Sequence, residues 1–199
     1  YINIDSLDEF IYEGRLNLNH FNLFKNKFGF EQVDCEINIE GKGIDILSFD
    51  TEIVGKLNSI SIIGKSYEDI VLNGRLQPNY FKGEASVFDD DLELDFSGEV
   101  DFSKDKPVMD FVANIVEADL VKLNLYNKDQ IAKLSSIVEI NLKGSKWSNI
   151  EGELGLYHTS IETSDNHHYY NDILFTSEKL NEKDILSFKS DFLTANLEG

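Results

Sequence analysis

From Leu92 to Phe102 apolar and polar side chains alternate without a break. Leu92, Leu94, Phe96, Val100 and Phe102 share one parity with Gly98, while Glu93, Asp95, Ser97, Glu99 and Asp101 take the other. Successive side chains of a strand point to opposite faces, so this segment predicts a strand with one apolar and one acidic face. The same period of two recurs along the chain. Leu16 and Leu18 show it, then Cys35, Ile37 and Ile39, then Leu47, Phe49 and Ile53, then Ile60 and Ile62, then Leu72 and Leu76. Past the 92–102 strand it returns at Met109, Phe111, Ala113 and Ile115, at Val138, Ile140 and Leu142, and at Leu154 and Leu156. Further strands are predicted around Ile173 and Phe175, and around Leu186 and Phe188. Breakers separate the runs at Gly41-Lys42-Gly43, Gly55, Gly64, Asn73-Gly74, Pro78-Asn79 and Lys104-Asp105-Lys106-Pro107. Short strands joined by short turns predict an antiparallel meander.

Two stretches depart from this period. In residues 1–13, Ile2 and Ile4 read as a strand, while Asp5 could cap a short helix. Residues 117–136, EADLVKLNLYNKDQIAKLSS, place Leu120, Leu123, Ile131 and Leu134 at helical spacing and form the main non-strand candidate. The chain also repeats itself. At a shift of 103 residues CEINIEG, from Cys35, lies over VEINLKG, from Val138, and YEDIVL, from Tyr67, lies over YNDILF, from Tyr170. Glu, Asn, Gly, Tyr and Asp match there along with the apolar positions. The expectation is two stacked copies of one unit, residues 14–103 and 104–199, after an ambiguous lead-in over 1–13.

Composition narrows the possible partners. A net charge of −19 repels phosphate backbones and anionic membrane surfaces, which argues against nucleic acid. Acidic outer faces also keep strand edges from aggregating. The single Cys35 shares the apolar parity of Val33 and Ile37 and reads as a small buried hydrophobe. No apolar run is long enough to span a bilayer as a helix. The chain begins at Tyr1 without a leader and reads as a segment of a longer protein.

Candidate chemistry is sparse. His167 and His168 are adjacent, so on a strand they diverge to opposite faces and do not converge on a metal. Asp89-Asp90-Asp91 lacks the spaced ligands and glycine of a calcium loop and reads as a solvated turn. Acidic pairs are too common to mark a glycosidase. The sequence has no nucleophile elbow, phosphate loop or dinucleotide fingerprint, so neither an enzyme nor a cofactor is expected. The apolar stripe remains. It fits two sheets packed face to face, or one sheet curled into an open trough that accepts acyl chains.

Residues 92–125, LELDFSGEVDFSKDKPVMDFVANIVEADLVKLNL, resemble a segment of the TamB proteins of Bacteroidetes-type bacteria. A DFSG-x-VDFS phrase, a turn with Pro, a DF-x-A-x-I strand and an ADL-x-x-LNL phrase carry the likeness. IEGKGIDILSFDTEIVGKLNSISIIGKSYEDIVLNGRL, from Ile39, and GSKWSNIEGELGLYHTSIETSDNHHYYNDILFTSEKL, from Gly144, are similar to the same family. The resemblance implies an all-β, elongated antiparallel meander curled into a U-shaped apolar trough, a β-taco-like groove of about two stacked units with at most one or two short helices. It implies a periplasmic segment of an AsmA-like envelope protein. The full protein would be tethered to the inner membrane by an N-terminal helix outside this segment, and its C-terminal end would meet a TamA-type outer-membrane barrel. The implied cargo is phospholipid, conducted between inner and outer membrane without catalysis. The expected lining is Cys35, Ile37, Ile39, Phe49, Ile53, Leu92, Leu94, Phe96, Val100 and Phe102 in the first expected unit. In the second it is Phe111, with Val138, Ile140, Leu142, Leu154 and Leu156. Two alternatives stay open. One is a scaffold for outer-membrane protein assembly by strand addition. The other is an extracellular β-sandwich for adhesion or carbohydrate binding, with a loop site at Trp147 or Tyr169-Tyr170.

Overall fold

The computed structural model of the chain is built from twelve β-strands among the described residues. The structure describes residues 10–22, 30–43, 45, 47–62, 64–127, 131–145, 149–180 and 183–198. The expectations for Ile2, Ile4, the cap at Asp5 and Trp147 lie outside these. The chain forms two compact units, Tyr1–Asp89 and Asp90–Gly199. The first holds β1 (Ile11–Asn22), β2 (Phe30–Lys42), β3 (Asp50–Ile62), β4 (Lys65–Gln77) and β5 (Tyr80–Asp89). The second holds β6 (Leu92–Asp101), β7 (Val108–Asp119), β8 (Ala132–Lys143), β9 (Glu151–Thr163), β10 (His167–Leu180), β11 (Lys183–Ser190) and β12 (Thr194–Glu198). Within each unit every strand pairs antiparallel with its neighbour in sequence, so both are meanders.

Turn chemistry accounts for the hairpins. Gln77 pairs with Tyr80 across Pro78-Asn79. Proline presets φ for the first corner, and Asn79 takes the positive φ of 60° that the second corner of a type II turn requires. At the end of β6, Asp101 is buried although charged. Its carboxylate accepts the Ser103 N–H at 2.9 Å and the Lys104 ammonium at 2.8 Å. The strand expected through Leu47 and Phe49 is instead a turn. Asp45 accepts the Leu47 N–H at 2.8 Å through Oδ1 and the Ser48 and Phe49 N–H groups at 3.0 Å through its carbonyl, which holds the chain out of extended geometry. Leu47 is therefore exposed, and β3 begins at Asp50.

The non-strand candidate is shorter than its pattern implied. β7 runs to Asp119 and β8 starts at Ala132. Asp119 Oδ1 accepts the N–H groups of Val121 and Lys122 at 3.2 and 3.1 Å, and a turn follows that buries Leu123. No α-helix occurs among the described residues.

The repeat survives in the register. Ile37 lies opposite Gly55, Gly55 opposite Leu72 and Leu72 opposite Ala85. In the second unit Ile140 lies opposite Leu154, Leu154 opposite Phe175 and Phe175 opposite Phe188. The shift of 103 carries Ile37 to Ile140, Leu72 to Phe175 and Ala85 to Phe188. It would carry Gly55 to His158, yet Leu154, four residues earlier, fills that place.

Acid stability follows from two carboxylates. Arg75 donates to both oxygens of Asp50, at 2.7 and 2.6 Å, and holds its pKa down at about 2. Lys104, and then Ser103, lower that of Asp101. A carboxylate depressed on folding adds stability above its ordinary pKa, and that stability is lost as pH falls through the folded value. The denaturant midpoint is therefore expected to drop between pH about 4 and about 2. Asp101→Asn is expected to remove part of that drop and to cost about 1–2 kcal/mol at pH 7, kept small because Lys104 is half exposed. Urea titrations at stepped pH check both.

Candidate functional site: an apolar sheet face

Cross-strand register sorts the side chains of each unit into rows. On one face of the first unit Leu18, Cys35, Leu57, Ile70 and Val87 form a row. Leu16, Ile37, Gly55, Leu72 and Ala85 form the next, followed by Gly14, Ile39, Ile53, Gly74 and Gly83. The second unit repeats the plan. Phe96, Ala113, Val138, Leu156 and Ile173 form one row, and Gly98, Phe111, Ile140, Leu154, Phe175 and Phe188 the next. Val100, Met109, Leu142 and Gly152 begin a third.

Strand pairing thus places twelve of the expected lining residues in these rows, each within its own unit, while Leu94 pairs with Ile115 and Leu92 with Ala118. Phe49 and Phe102 sit apart. Phe49 precedes β3 and borders an open cavity of about 520 Å³ with Phe10, Tyr12, Leu16, Ile39 and Thr51. Phe102 lies past the end of β6, where it is 46 % exposed.

These faces are apolar but not cores. Buried apolar side chains among the described residues are few: Val33, Cys35 and Val87 in the first unit, and Ala113, Ala118, Leu123 and Ala132 in the second. The larger residues of the rows, Ile37, Ile53, Phe96, Phe111 and Ile140 among them, stay half-buried. Within each unit the strands make a single layer, so no second sheet of that unit lies across the rows. A face-to-face sandwich inside either unit is therefore not formed. Cys35 is 2 % exposed, and burial pushes its thiol pKa up, which leaves it unreactive.

Glycines on the apolar face let neighbouring strands close in. Gly74 lies opposite Gly83. A Cβ on Gly74 would stand 2.5 Å from the Lys82 carbonyl oxygen and 2.9 Å from the Gly83 Cα. Gly98 has φ +149° and lies opposite Phe111, where a Cβ would meet that of Phe111 at 2.5 Å. In a sheet such glycines mark bends or close backbone approach.

A feature the sequence hid is a line of bulges across each unit. Register slips between Leu18 and Phe21 and between Asp34 and Cys35, and His20 and Asp69 take positive φ. In the second unit it slips between Glu93 and Leu94, between Ile115 and Ala118, and between Ser135 and Ile137, with His158 at φ 51°. Each extra residue switches parity, so Ile60 and Tyr67 return to the face of Val33. Polar groups freed near the line find partners. Asp34 accepts from the His20 N–H and, at 2.9 Å, from Ser59. Asp89 accepts the Glu68 N–H at 2.9 Å, and Asp191 the Asn171 N–H at 2.7 Å. The buried hydroxyls of Ser136 and Thr159 bond each other at 2.8 Å. The signal was present as broken alternation in YEDIVL and YYNDIL.

No family model, curated protein or solved structure matches this chain. The opposite face holds most of the charge, including Glu40, Glu52, Glu84, Asp95, Asp110 and Glu139. His167 on β10 bonds Ser160 on β9 at 2.7 Å, and His158 on β9 bonds the Tyr169 hydroxyl on β10 at 3.1 Å. Among the described residues no three His, Cys, Asp or Glu side chains converge as a metal site. No helix among them is long and apolar enough to cross a membrane.

Proposed function

We propose that this chain is a stretch of a TamB-type envelope bridge that holds phospholipid acyl chains against its apolar sheet faces and conducts lipid between the inner and outer membranes. The observation that carries the reading is the row pattern of each unit: continuous apolar rows, half-exposed, with no second layer of the unit over them. A lipid conduit needs apolar lining without a tight pocket, so that chains slide. It needs a polar back because it crosses water. Burial of roughly 0.8 kcal/mol per methylene offsets extraction from a bilayer. The periplasmic setting, the inner-membrane anchor and the TamA-type partner belong to this proposal through the family resemblance.

Native mass spectrometry of the purified chain, with extraction of co-purified lipid, tests it. Bound phospholipid is expected. A clean apo mass that takes up no lipid from added vesicles rejects the conduit. The second reading, strand addition in outer-membrane protein assembly, draws on β1. Its twelve residues pair on one side only among the described residues. It predicts peptide adducts in the same spectra in place of lipid.

A further inference from the structure

β1 is an edge without the usual protections. Among the described residues it pairs with β2 alone, so the N–H and C=O groups of alternate residues face outward along its length. Edge strands that stay single are commonly short, or carry lysine or proline. β1 runs for twelve residues and has neither, while Phe10 is 52 % and Ile11 80 % exposed. Its regular stretch is bounded at both ends. The Gly43 N–H bonds the Phe10 carbonyl at 2.8 Å, which extends the ladder to Phe10, and register with β2 is unbroken up to Leu18, where the bulge begins. The midpoint of that stretch is Gly14.

The charges of β1 have the same centre. An antiparallel copy of β1 laid along this edge, with Gly14 opposite Gly14, sets Glu13 of each copy opposite Arg15 of the other. On the apolar face it sets Tyr12 opposite Leu16 and Phe10 opposite Leu18. Centring the pair on Glu13 or on Arg15 instead puts like charges face to face, which destabilises a sheet. Within its own unit Glu13 lies opposite Glu40, so a cation from a second copy offsets a like-charge pair. Arg15 already donates to Glu36 at 2.5 Å through Nη2. A guanidinium has five N–H donors, and this one bridges Glu36 and Glu13 of the second copy. The open cavity of about 520 Å³ borders the same edge, and its walls Phe10, Tyr12 and Leu16 are the side chains that the second copy faces.

We infer that the β1 edge joins a second copy of this chain in a two-fold antiparallel pair centred on Gly14. The axis stands perpendicular to the sheet, so the apolar faces of the two joined units fall on one side. The joint adds about eight to ten backbone hydrogen bonds, within the range of a stable interface. It is independent of what the apolar faces carry.

Sedimentation velocity of the purified chain across micromolar concentrations is expected to show a monomer–dimer equilibrium. Glu13→Arg sets arginine against arginine at two symmetric places and is expected to raise the dissociation constant at least about tenfold. Its circular dichroism is expected to hold, because the new cation faces Glu40. Arg15→Glu is expected to weaken the dimer likewise. An equimolar mixture of the two variants is expected to dimerise again, since every facing pair then carries opposite charges. Gly14→Cys, on the axis, is expected to oxidise to a covalent dimer, and Asn17→Cys, whose two copies stand about 20 Å apart, is not. A chain that stays monomeric overturns the inference and leaves the edge to a strand of another protein or of a longer chain. A dimer that Glu13→Arg does not weaken, or that Gly14→Cys does not cross-link, has its joint elsewhere and overturns it too. Oligomers that grow past two with concentration overturn the closed pair in favour of β1-to-β12 stacking.

Discussion

Phe96→Asp is expected to strip the chain of lipid while its far-UV circular dichroism stays that of β-sheet. Phe96 sits midway along β6 on its apolar face and opens its row, its ring 5.1 Å from that of Phe111. It is half-buried, so a carboxylate there keeps water when no lipid is bound, and the unloaded fold tolerates it. An acyl chain laid over that row would have to desolvate the charge. Desolvating an ion costs several kcal/mol, which at about 1.4 kcal/mol per decade is at least a hundredfold loss of affinity. Asp95→Asn, one residue away on the opposite face, changes charge by the same unit and is expected to leave lipid content unchanged. The readout is bound lipid per chain by native mass spectrometry. Full lipid occupancy in Phe96→Asp would mean that cargo does not use this row, and global unfolding would mean that the row is a closed core.

Gly98→Val carries the largest expected loss of stability. Valine at φ +149° is strained, and its Cβ would stand 2.4 Å from the Asp110 carbonyl oxygen and the Phe111 Cα, on the backbone of the paired strand. β6 must then move away from β7 or lose its register. Backbone strain and overpacking together predict a loss of about 2–5 kcal/mol. Gly14→Val provides the contrast. It too lies on the apolar face, but nothing stands within 4 Å of a Cβ there, so a change within about 0.5 kcal/mol is expected. Equal midpoints for the two variants in guanidinium unfolding would show that close approach at Gly98 contributes nothing.

The meander was legible in the sequence because alternation is a direct image of the pleat. Ile37, Ile39, Val138, Ile140 and Leu142 alternate, and they line up on one face of β2 and β8 as the pattern predicts. The repeat was legible because its matched residues sit on paired strands. Alternation breaks where local hydrogen bonding competes with extension. Leu47 and Phe49 carried the right parity, but Asp45 draws three amides into a turn. The bulges stayed hidden for a related reason. A single extra residue in YEDIVL reads as noise until neighbouring strands show theirs at the same height. What covers an apolar stripe is not written in parity at all. A sandwich and an open face share the same alternation, and the exposure of Phe111 and Ile140 tells them apart only in three dimensions.

The four-residue displacement of β9 between its flanking strands has an evolutionary reading. Sliding a strand by an even number of residues returns every side chain to its own face, and an odd number turns the strand inside out. Loops can therefore gain and lose residues freely only if the net drift of the strand between them comes in twos. Duplicated units of this kind can diverge in loop length and side-chain identity, Gly55 giving way to Leu154, without any moment at which the greasy surface faces water on the wrong side. Descent by paired steps would leave such proteins similar in pattern and dissimilar in letters.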